Sequence, residues 1–300
     1  MTTSRADPAV IVGVDRSTEA FAAASYAMLQ ARARRCGLLL VHTYDIPNQN
    51  EYYNLQDGGG LHADGVALLD ELVTSLEEQF GSAVELTTLV RQGSASLTLA
   101  ELSLGARCIV VGRRKAGWGE RLLTGSVSSR LSSIADCAVV TVPHGFNPVQ
   151  SATGPVVVAL DGQSAAGACL SYAFDAAELH RTDLVVLHAD SSGTEPNLRQ
   201  HDLDVAEGLA AWRSRYPDVA VTTSTVHGSP SSACEEASRG ASLLVLGRST
   251  GPHLLSWNRS VARAVLKNAH CPTATVPLHS GTRRRKPATP AGHSFVIPTY

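Results

Sequence analysis

An internal repeat constrains the fold of this 300-residue chain more than any other feature of its sequence. Four segments of the first half recur in the second half in the same order, at an offset of roughly 135 to 146 residues. This ordered repetition predicts two tandem copies of one domain. The matched pairs are PAVIVGVDRS (8–17) with GPVVVALDGQ (154–163), LLLVHTYD (38–45) with LVVLHAD (184–190), GARCIVVGRR (105–114) with GASLLVLGRS (240–249), and CAVVTVPHG (137–145) with CPTATVPLH (271–279).

Within each half, short apolar runs alternate with longer segments of helical period, a pattern typical of βα units around a buried parallel sheet. We therefore predict an α/β fold with two doubly wound domains, each a five-stranded mostly parallel sheet flanked by helices. The predicted strands of the first half are Val10–Val14, Leu38–His42, Val84–Val90, Cys108–Val111 and Ala138–Val142, and those of the second lie near Val156, Leu184, Val219, Leu243 and Thr273. The predicted helices of the first half begin after Ser17 as N-cap, near Asp64, at Ser96 and near Ser126.

The domain boundaries follow from composition. We predict a first domain over 1–149, a second over 150–280, and a flexible tail over 281–300 that carries the basic run Arg283–Lys286. This run is a solvated charge cluster or a contact for an acidic partner. The segment 43–63 is long for a connection inside a compact domain, and it is predicted as a lid or a surface loop.

The overall charge and the cysteine pattern exclude several classes of protein. A formal net charge of -2 gives no electrostatic reason to expect nucleic acid or an anionic membrane as partner. The chain begins without the apolar core of a signal peptide, and no apolar run approaches the roughly 18 residues of a membrane span, so we expect a cytoplasmic protein. Six scattered cysteines without a CxxC pair predict reduced thiols, with no metal site.

The segment Val110–Ser128 has the layout of an anion-binding loop. It leaves an apolar strand at Gly112, crosses a loop rich in glycine and arginine, and enters a helix at Gly125 and Ser126. Backbone N–H groups at such a helix start face an anion, and the missing side chain of a glycine lets a phosphate approach. A purely structural strand-loop-helix turn is the alternative. The nearby positive charges are Arg113, Arg114, Lys115 and Arg121.

With these residues the chain resembles the universal stress proteins, whose fourth strand ends in a G-x2-G-x9-G-[ST] loop that holds nucleotide phosphates. Here the loop has Gly112, then Lys115 in place of the second glycine, then Gly125 and Ser126. A lysine there can pair with a phosphate oxygen as a point charge. The VGVD start and the C-x-V-V-x-V-P ending of the first copy also fit the family.

The resemblance implies a Rossmann-like fold of the adenine nucleotide alpha hydrolase type, with ATP as ligand, with or without Mg²⁺. It implies that Asp15 contacts the adenosine part and that Val41 lines the adenine pocket. It further implies strand order 3-2-1-4-5 and pairing of two domains through their last strands, with Val139–Val142 facing Thr273–Val276. The residues implied around the phosphates are Gly112, Gly125, Ser126, Val127 and Ser128.

The geometry of open α/β sheets indicates the same site. Ligands lie beyond the carboxyl ends of strands where the strand order reverses. Asp15 and Gly112 follow or end such strands, provided that the first and fourth strands are neighbours. Taken alone, Asp15 is equally well a turn or helix-start residue.

The second copy departs from the loop pattern. Gly247 is kept, but Thr250 replaces the second glycine and Arg259 stands before Ser260 where Gly125 stands before Ser126. A long side chain at the point of closest approach obstructs a phosphate, so this copy is predicted to have a degenerate nucleotide loop. The histidines after the second strand of each copy, His42 and His188, are predicted to be structural and hydrogen-bonded.

The expected function is that of a stress-response protein that binds an adenine nucleotide and acts as a sensor or regulator. We expect no enzyme, because the chain has no HExxH, Walker or Ser-His-Asp pattern. One alternative is a nucleotide-independent interaction module with vestigial pockets. Another is an adenylate-forming enzyme of the related superfamily, although such enzymes carry SGGxDS where this chain has GVDRST. The protein partner, and whether two chains form a homodimer, are left open.

Overall fold

The computed structural model describes residues 9–45, 57–113, 126–148, 154–160, 166–190, 208–248 and 257–277. The strands are β1 (Val10–Val14), β2 (Leu38–Tyr44), β3 (Leu86–Gln92), β4 (Cys108–Gly112), β5 (Ala138–Val142), β6 (Val156–Leu160), β7 (Leu184–Asp190), β8 (Val221–His227), β9 (Leu243–Arg248) and β10 (Thr273–Pro277). The helices are α1 (Thr18–Arg34), α2 (Asp57–Phe80), α3 (Ala95–Leu102), α4 (Ser126–Ile134), α5 (Ala166–His180), α6 (208–215), α7 (Pro230–Ala237) and α8 (Trp257–Asn268).

The ten described strands form one sheet in the order β3-β2-β1-β4-β5-β10-β9-β6-β7-β8. Each half has the order 3-2-1-4-5 that the resemblance implies, and the strand pairs inside each half are parallel. The predicted fold class is therefore confirmed. The halves join where β5 pairs with β10 antiparallel, with Val140 opposite Ala274.

Helices cover both faces of the sheet because the strand side chains alternate between two apolar layers. In β1, Val10, Val12 and Val14 point to the layer of α1, α2 and α5, which forms one apolar cluster across both halves. Ile11 points to the opposite layer, where α3 and α4 pack on the first half. A separate cluster under α7 and α8 covers that face of the second half. Among the described helices, none has the length and apolar character to cross a membrane.

The structure differs from the sequence-based boundaries at β3 and α2. The strand β3 runs two residues later than predicted, because Leu86 is the first residue in register with β2 and Gly93, with a φ of +122°, ends it. The helix α2 begins at Asp57 rather than near Asp64, so it takes in the glycine run 58–60. Adding residues to the end of a formed helix costs less than nucleating a new one, so the low helix propensity of glycine does not prevent this extension. Residues 46–56 of the long connection lie outside the described residues.

The two histidines that were predicted to be structural lie within the second strand of each half, and both are hydrogen-bonded. Nδ1 of His42 lies 2.9 Å from the Val14 carbonyl oxygen. Nδ1 of His188 lies 3.3 Å from the carbonyl oxygen of Leu160, at the equivalent place in the second half. Each histidine therefore ties the end of the second strand to the end of the first.

Candidate functional site

A cavity of about 340 Å³ lies at the carboxyl ends of β1, β2 and β4, between the first turns of α1 and α4. The strands β1 and β4 are neighbours, with Gly13 opposite Val111, as the predicted position of the site requires. The strand order reverses at this point, because β2 lies on one side of β1 and β4 on the other. The cavity is lined by Gly13, Val14, Asp15, Ser17, Ala20, Val41, Thr43, Ala95, Leu99, Val111, Gly112, Arg113, Val127 and Ser128.

The inner wall of the cavity is apolar. Val41 is 2% exposed and pairs in register with Gly13, and Leu99 and Val111 extend the same apolar cluster. A Cβ atom at Gly13 would lie 2.9 Å from Cδ1 of Leu99. An isolated glycine inside a strand often marks such a close approach, so Gly13 was the sequence signal for this wall. Leu99 had no comparable signal, because its helix reaches the cavity only through the tertiary fold.

Asp15 lies at the exposed rim of the cavity, directly after β1. Its Oδ1 accepts a hydrogen bond from the backbone N–H of Ser17 at 3.0 Å and another from the Ser17 hydroxyl. Ser17 occupies the N-cap position of α1, as predicted, but its side chain makes no capping bond to the helix. The carboxylate therefore organises the turn into α1, and the residue also lines the cavity.

Gly112 ends β4 directly against the first turn of α1. A Cβ atom there would lie 2.7 Å from the carbonyl oxygen of Glu19, which is too close, and the backbone of α1 or β4 would have to move to relieve the contact. The glycine is therefore required by packing within the protein, independently of any phosphate.

Gly112→Ala is accordingly expected to lower the free energy of unfolding by about 1 to 3 kcal/mol, because β4 and α1 must move apart. Chemical denaturation of the two proteins measures this difference. Gly105→Ala is the matched control, since a Cβ atom at Gly105 meets nothing within 4 Å. Equal losses in both variants would show that the contact with Glu19 is unimportant.

The helix α4 begins at the cavity. Val127 and Ser128 line the cavity, and Ser128 is 6% exposed. The first N–H groups of a helix have no partner within it, and they carry the positive end of its dipole. A site with an apolar wall and this polar end suits a ligand that joins an aromatic ring to an anion.

The structure brings to this cavity most of the predicted site residues that it describes. Asp15, Val41, Gly112, Val127 and Ser128 line it. Ser126 is the first residue of α4, and Lys115 and Gly125 lie outside the described residues.

Arg113, one of the positive charges near the predicted loop, extends its guanidinium group to the other half of the chain. The residue borders the cavity, but its backbone N–H donates to the carbonyl oxygen of Val142 at 2.8 Å. The guanidinium group donates from Nη1 and Nη2 to the carbonyl oxygens of Leu266 and Ala269, at 2.8 and 2.9 Å. These two carbonyls lie at the end of α8, in the other half of the chain. No local pattern could have signalled a partner so distant in sequence.

A hydrogen bond between Glu19 and His144 lies behind the Gly112 contact. Oε1 of Glu19 is 2.5 Å from Nδ1 of His144, and the Glu19 side chain is 10% exposed. Burial alone would raise the pKa of Glu19, but hydrogen bonds from its own backbone N–H, from His144 and from Thr18 hold that pKa below its usual value. The pair fixes the first turn of α1 to the residues that follow β5.

Potential metal ligands do not converge among the described residues, which contain no group of three or more His, Cys, Asp or Glu suited to a metal ion.

In the second half, Gly247 lies within β9 as Gly112 lies within β4, and Arg259 lies within the first turn of α8. Thr250 and Asp161 lie outside the described residues.

Comparisons with known proteins agree with this architecture. The model of the universal stress protein family matches residues 9–143 and 153–277. A universal stress protein of Mycobacterium tuberculosis is 32% identical over 303 aligned positions, which cover 91% of this chain and 97% of that protein. A crystal structure of a universal stress protein from Archaeoglobus fulgidus is 18% identical, covers 91% of this chain and 97% of its own, and has a TM-score of 0.72. Another universal stress protein from Archaeoglobus fulgidus, solved in complex with dAMP, is 24% identical, covers 41% of this chain and 97% of its own, and has a TM-score of 0.32.

Proposed function

Because the chain belongs to the universal stress protein family, we propose that its first half binds ATP and that the protein acts in the stress response as a nucleotide-dependent sensor or regulator. One observation carries the proposal. A cavity of about 340 Å³ lies at the switch point of the first sheet half, with an apolar wall on one side and the first turn of α4 on the other. Its volume lies within the range of roughly 300 to 1,000 Å³ that small-molecule sites occupy.

The lining suggests how ATP would be oriented. The adenine ring would lie against Val41 and the neighbouring apolar wall, and the ribose would lie near Asp15 at the rim. The phosphates would then face the N–H groups of the first turn of α4, beside Gly112 and Ser128. Anions bind at helix starts because free N–H donors and the helix dipole both favour negative charge there.

We propose a binding role rather than catalysis. In the described part of the lining, Asp15 is the single carboxylate, it is hydrogen-bonded to Ser17, and no histidine, cysteine or lysine is present. A general base needs a titrating group within reach of the reacting water. Any Mg²⁺ would be bound chiefly through the phosphates of the nucleotide, which is the usual mode for this ion.

The second half is proposed to bind no nucleotide, because Arg259 takes the place of Gly125 at the corresponding helix start. The protein is proposed to act in the cytoplasm. Its physiological signal would be read through occupancy of the first site, which changes with the supply of ATP.

Calorimetric titration of the full chain with ATP and with adenosine tests the proposal. Wild type should bind ATP more tightly than adenosine, because the phosphates add the contact with α4. Ser128→Asp should weaken ATP binding at least about ten-fold through charge repulsion and should change adenosine binding little. Ser128→Asn is the matched control, since it has nearly the same shape without the charge.

Two outcomes would contradict the proposal. A wild-type protein that binds no ATP, and retains no adenine nucleotide that mass spectrometry can detect after purification, would favour the nucleotide-independent interaction module. Equal weakening of ATP and adenosine binding by Ser128→Asp would show that the phosphates do not bind at the start of α4.

A further inference from the structure

Two arginines at equivalent positions connect the halves of the chain reciprocally. Arg113 follows Gly112 of β4, and its guanidinium donates to the carbonyl oxygens of Leu266 and Ala269 at the end of α8. Arg248 follows Gly247, and its Nη1 and Nη2 donate to the carbonyl oxygens of Ser132 and Ala135, at 2.9 and 2.7 Å. Those two carbonyls lie at the end of α4. Each half therefore holds the last helix of the other.

This contact suits an arginine for three reasons. The last carbonyls of a helix have no partner within the helix, and a guanidinium fork satisfies two of them at once. A positive charge also complements the negative end of the helix dipole. Partial burial lowers the pKa of Arg113 and of Arg248, so both groups have lost part of their hydration, and an arginine nonetheless stays charged at neutral pH. The carbonyl contacts compensate for this loss of hydration.

The contact of Arg248 differs from that of Arg113 because the helix that it holds, α4, borders the cavity at its other end. The helix α4 has nine residues, about 14 Å, so its last turn lies close to the first turn that borders the cavity. Leu131, fully buried, packs its middle against the sheet. A short helix fixed at its end and in its middle has little freedom to tilt at its start.

We propose that Arg248, although it belongs to the second half, is a positioning residue for the nucleotide site of the first half. The inference rests on the proposed function. Arg248 holds the end of α4, and thereby sets where the N–H groups at the start of α4 meet the phosphates. A cation at one end of α4 and an anion at the other also interact favourably with the same helix dipole, so the two contacts support each other.

This role gives the second half a function that does not require a ligand of its own. Its loop departs from the nucleotide pattern at Thr250 and Arg259, yet it retains Gly247 and Arg248. The second half then serves as a rigid support that reaches across the junction between β5 and β10 and orders the first site.

Titration of full-length Arg248→Gln with ATP and with adenosine tests the inference. We expect the Kd for ATP to rise about five-fold, and the Kd for adenosine to stay unchanged because adenosine has no phosphate to meet α4. Arg248→Lys keeps the charge, and it should give an intermediate ATP affinity. His180→Ala is the control, because it removes a contact between the halves, from His180 to Gln30, that lies away from α4. It should leave both affinities unchanged, whatever its effect on stability.

The outcomes separate the two proposals. If wild type binds ATP and Arg248→Gln binds it equally well, the positioning role is wrong and the proposed function stands. If Arg248→Gln and Arg248→Lys weaken ATP and adenosine binding equally, the arginine supports the fold in general and the positioning role is again wrong. If wild type binds no ATP, the proposed function fails and the positioning role fails with it. Circular dichroism of each variant at the titration temperature verifies that the protein is folded.

Discussion

Acidification from pH 6.5 to about 4 is expected to lower the free energy of unfolding by about 3 kcal/mol through His180 alone. This histidine ends α5, and its Nε2 lies 2.8 Å from Nε2 of Gln30 on α1, so it links the two halves. An amide nitrogen can only donate, and the imidazole nitrogen must therefore accept and be unprotonated. Burial, and then the positive charge of Arg34, lower the pKa of His180 from 6.5 to about 4.

The direction of this change in the free energy of unfolding follows from proton binding. In the unfolded chain His180 takes up a proton near pH 6.5, whereas in the folded chain it does so only near pH 4. Between these values the unfolded state binds more protons, so stability falls as the pH falls. The contribution of unprotonated His180 to the free energy of unfolding is complete above pH 6.5 and is lost by about pH 4.

Denaturant unfolding of wild type and of His180→Gln, each at pH 7 and at pH 4.5, measures this effect. Glutamine can still bond to Gln30 and does not titrate, so the variant should lose less stability than wild type on acidification. Taking the difference between the two proteins cancels the other titrating groups, which include Glu19. Identical pH profiles would mean that His180 takes up its proton at the same pH in the folded and in the unfolded chain, so that folding does not lower its pKa.

Phe174→Ala is expected to lower the free energy of unfolding by about 3 to 5 kcal/mol, the range for emptying a buried aromatic site. Phe174 on α5 is fully buried in the second half. Its ring stacks on Trp212 at a centroid distance of 5.7 Å and on Tyr216 at 5.1 Å. Alanine would leave a cavity beneath both rings, and neighbouring helices collapse into such a space only in part.

The same denaturant titration tests this prediction, with Leu104→Ala as the control. Leu104 is 61% exposed, so its truncation should change stability by less than about 0.5 kcal/mol. A loss below about 1 kcal/mol in Phe174→Ala would show that α5 and α6 repack around the smaller side chain. It would then be wrong to regard the three-ring stack as a rigid part of the core.

The sequence determined the architecture because its signals for strands and helices are local and repeated. The strands β1 and β5 have the predicted bounds, since each is a short apolar run whose side chains are nearly all buried. The internal repeat gave the two domains, and the family resemblance gave the strand order. Where local signals were weak, the bounds moved. The helix α2 takes in the glycine run 58–60, and β3, an edge strand with several exposed positions, is displaced by two residues.

Only the tertiary structure decided what individual residues do at the junctions between elements. Gly112 was expected beside a phosphate, and the tertiary structure adds a second reason for a glycine there, because a Cβ atom would lie 2.7 Å from the carbonyl oxygen of Glu19. Arg113 was predicted as a positive charge near the loop, and the tertiary structure places its guanidinium at the last carbonyls of α8. A guanidinium can donate to a phosphate or to two helix carbonyls equally well. The sequence identifies the group but does not determine where in the fold it lies. That position depends on how β5 meets β10, a pairing between segments more than a hundred residues apart.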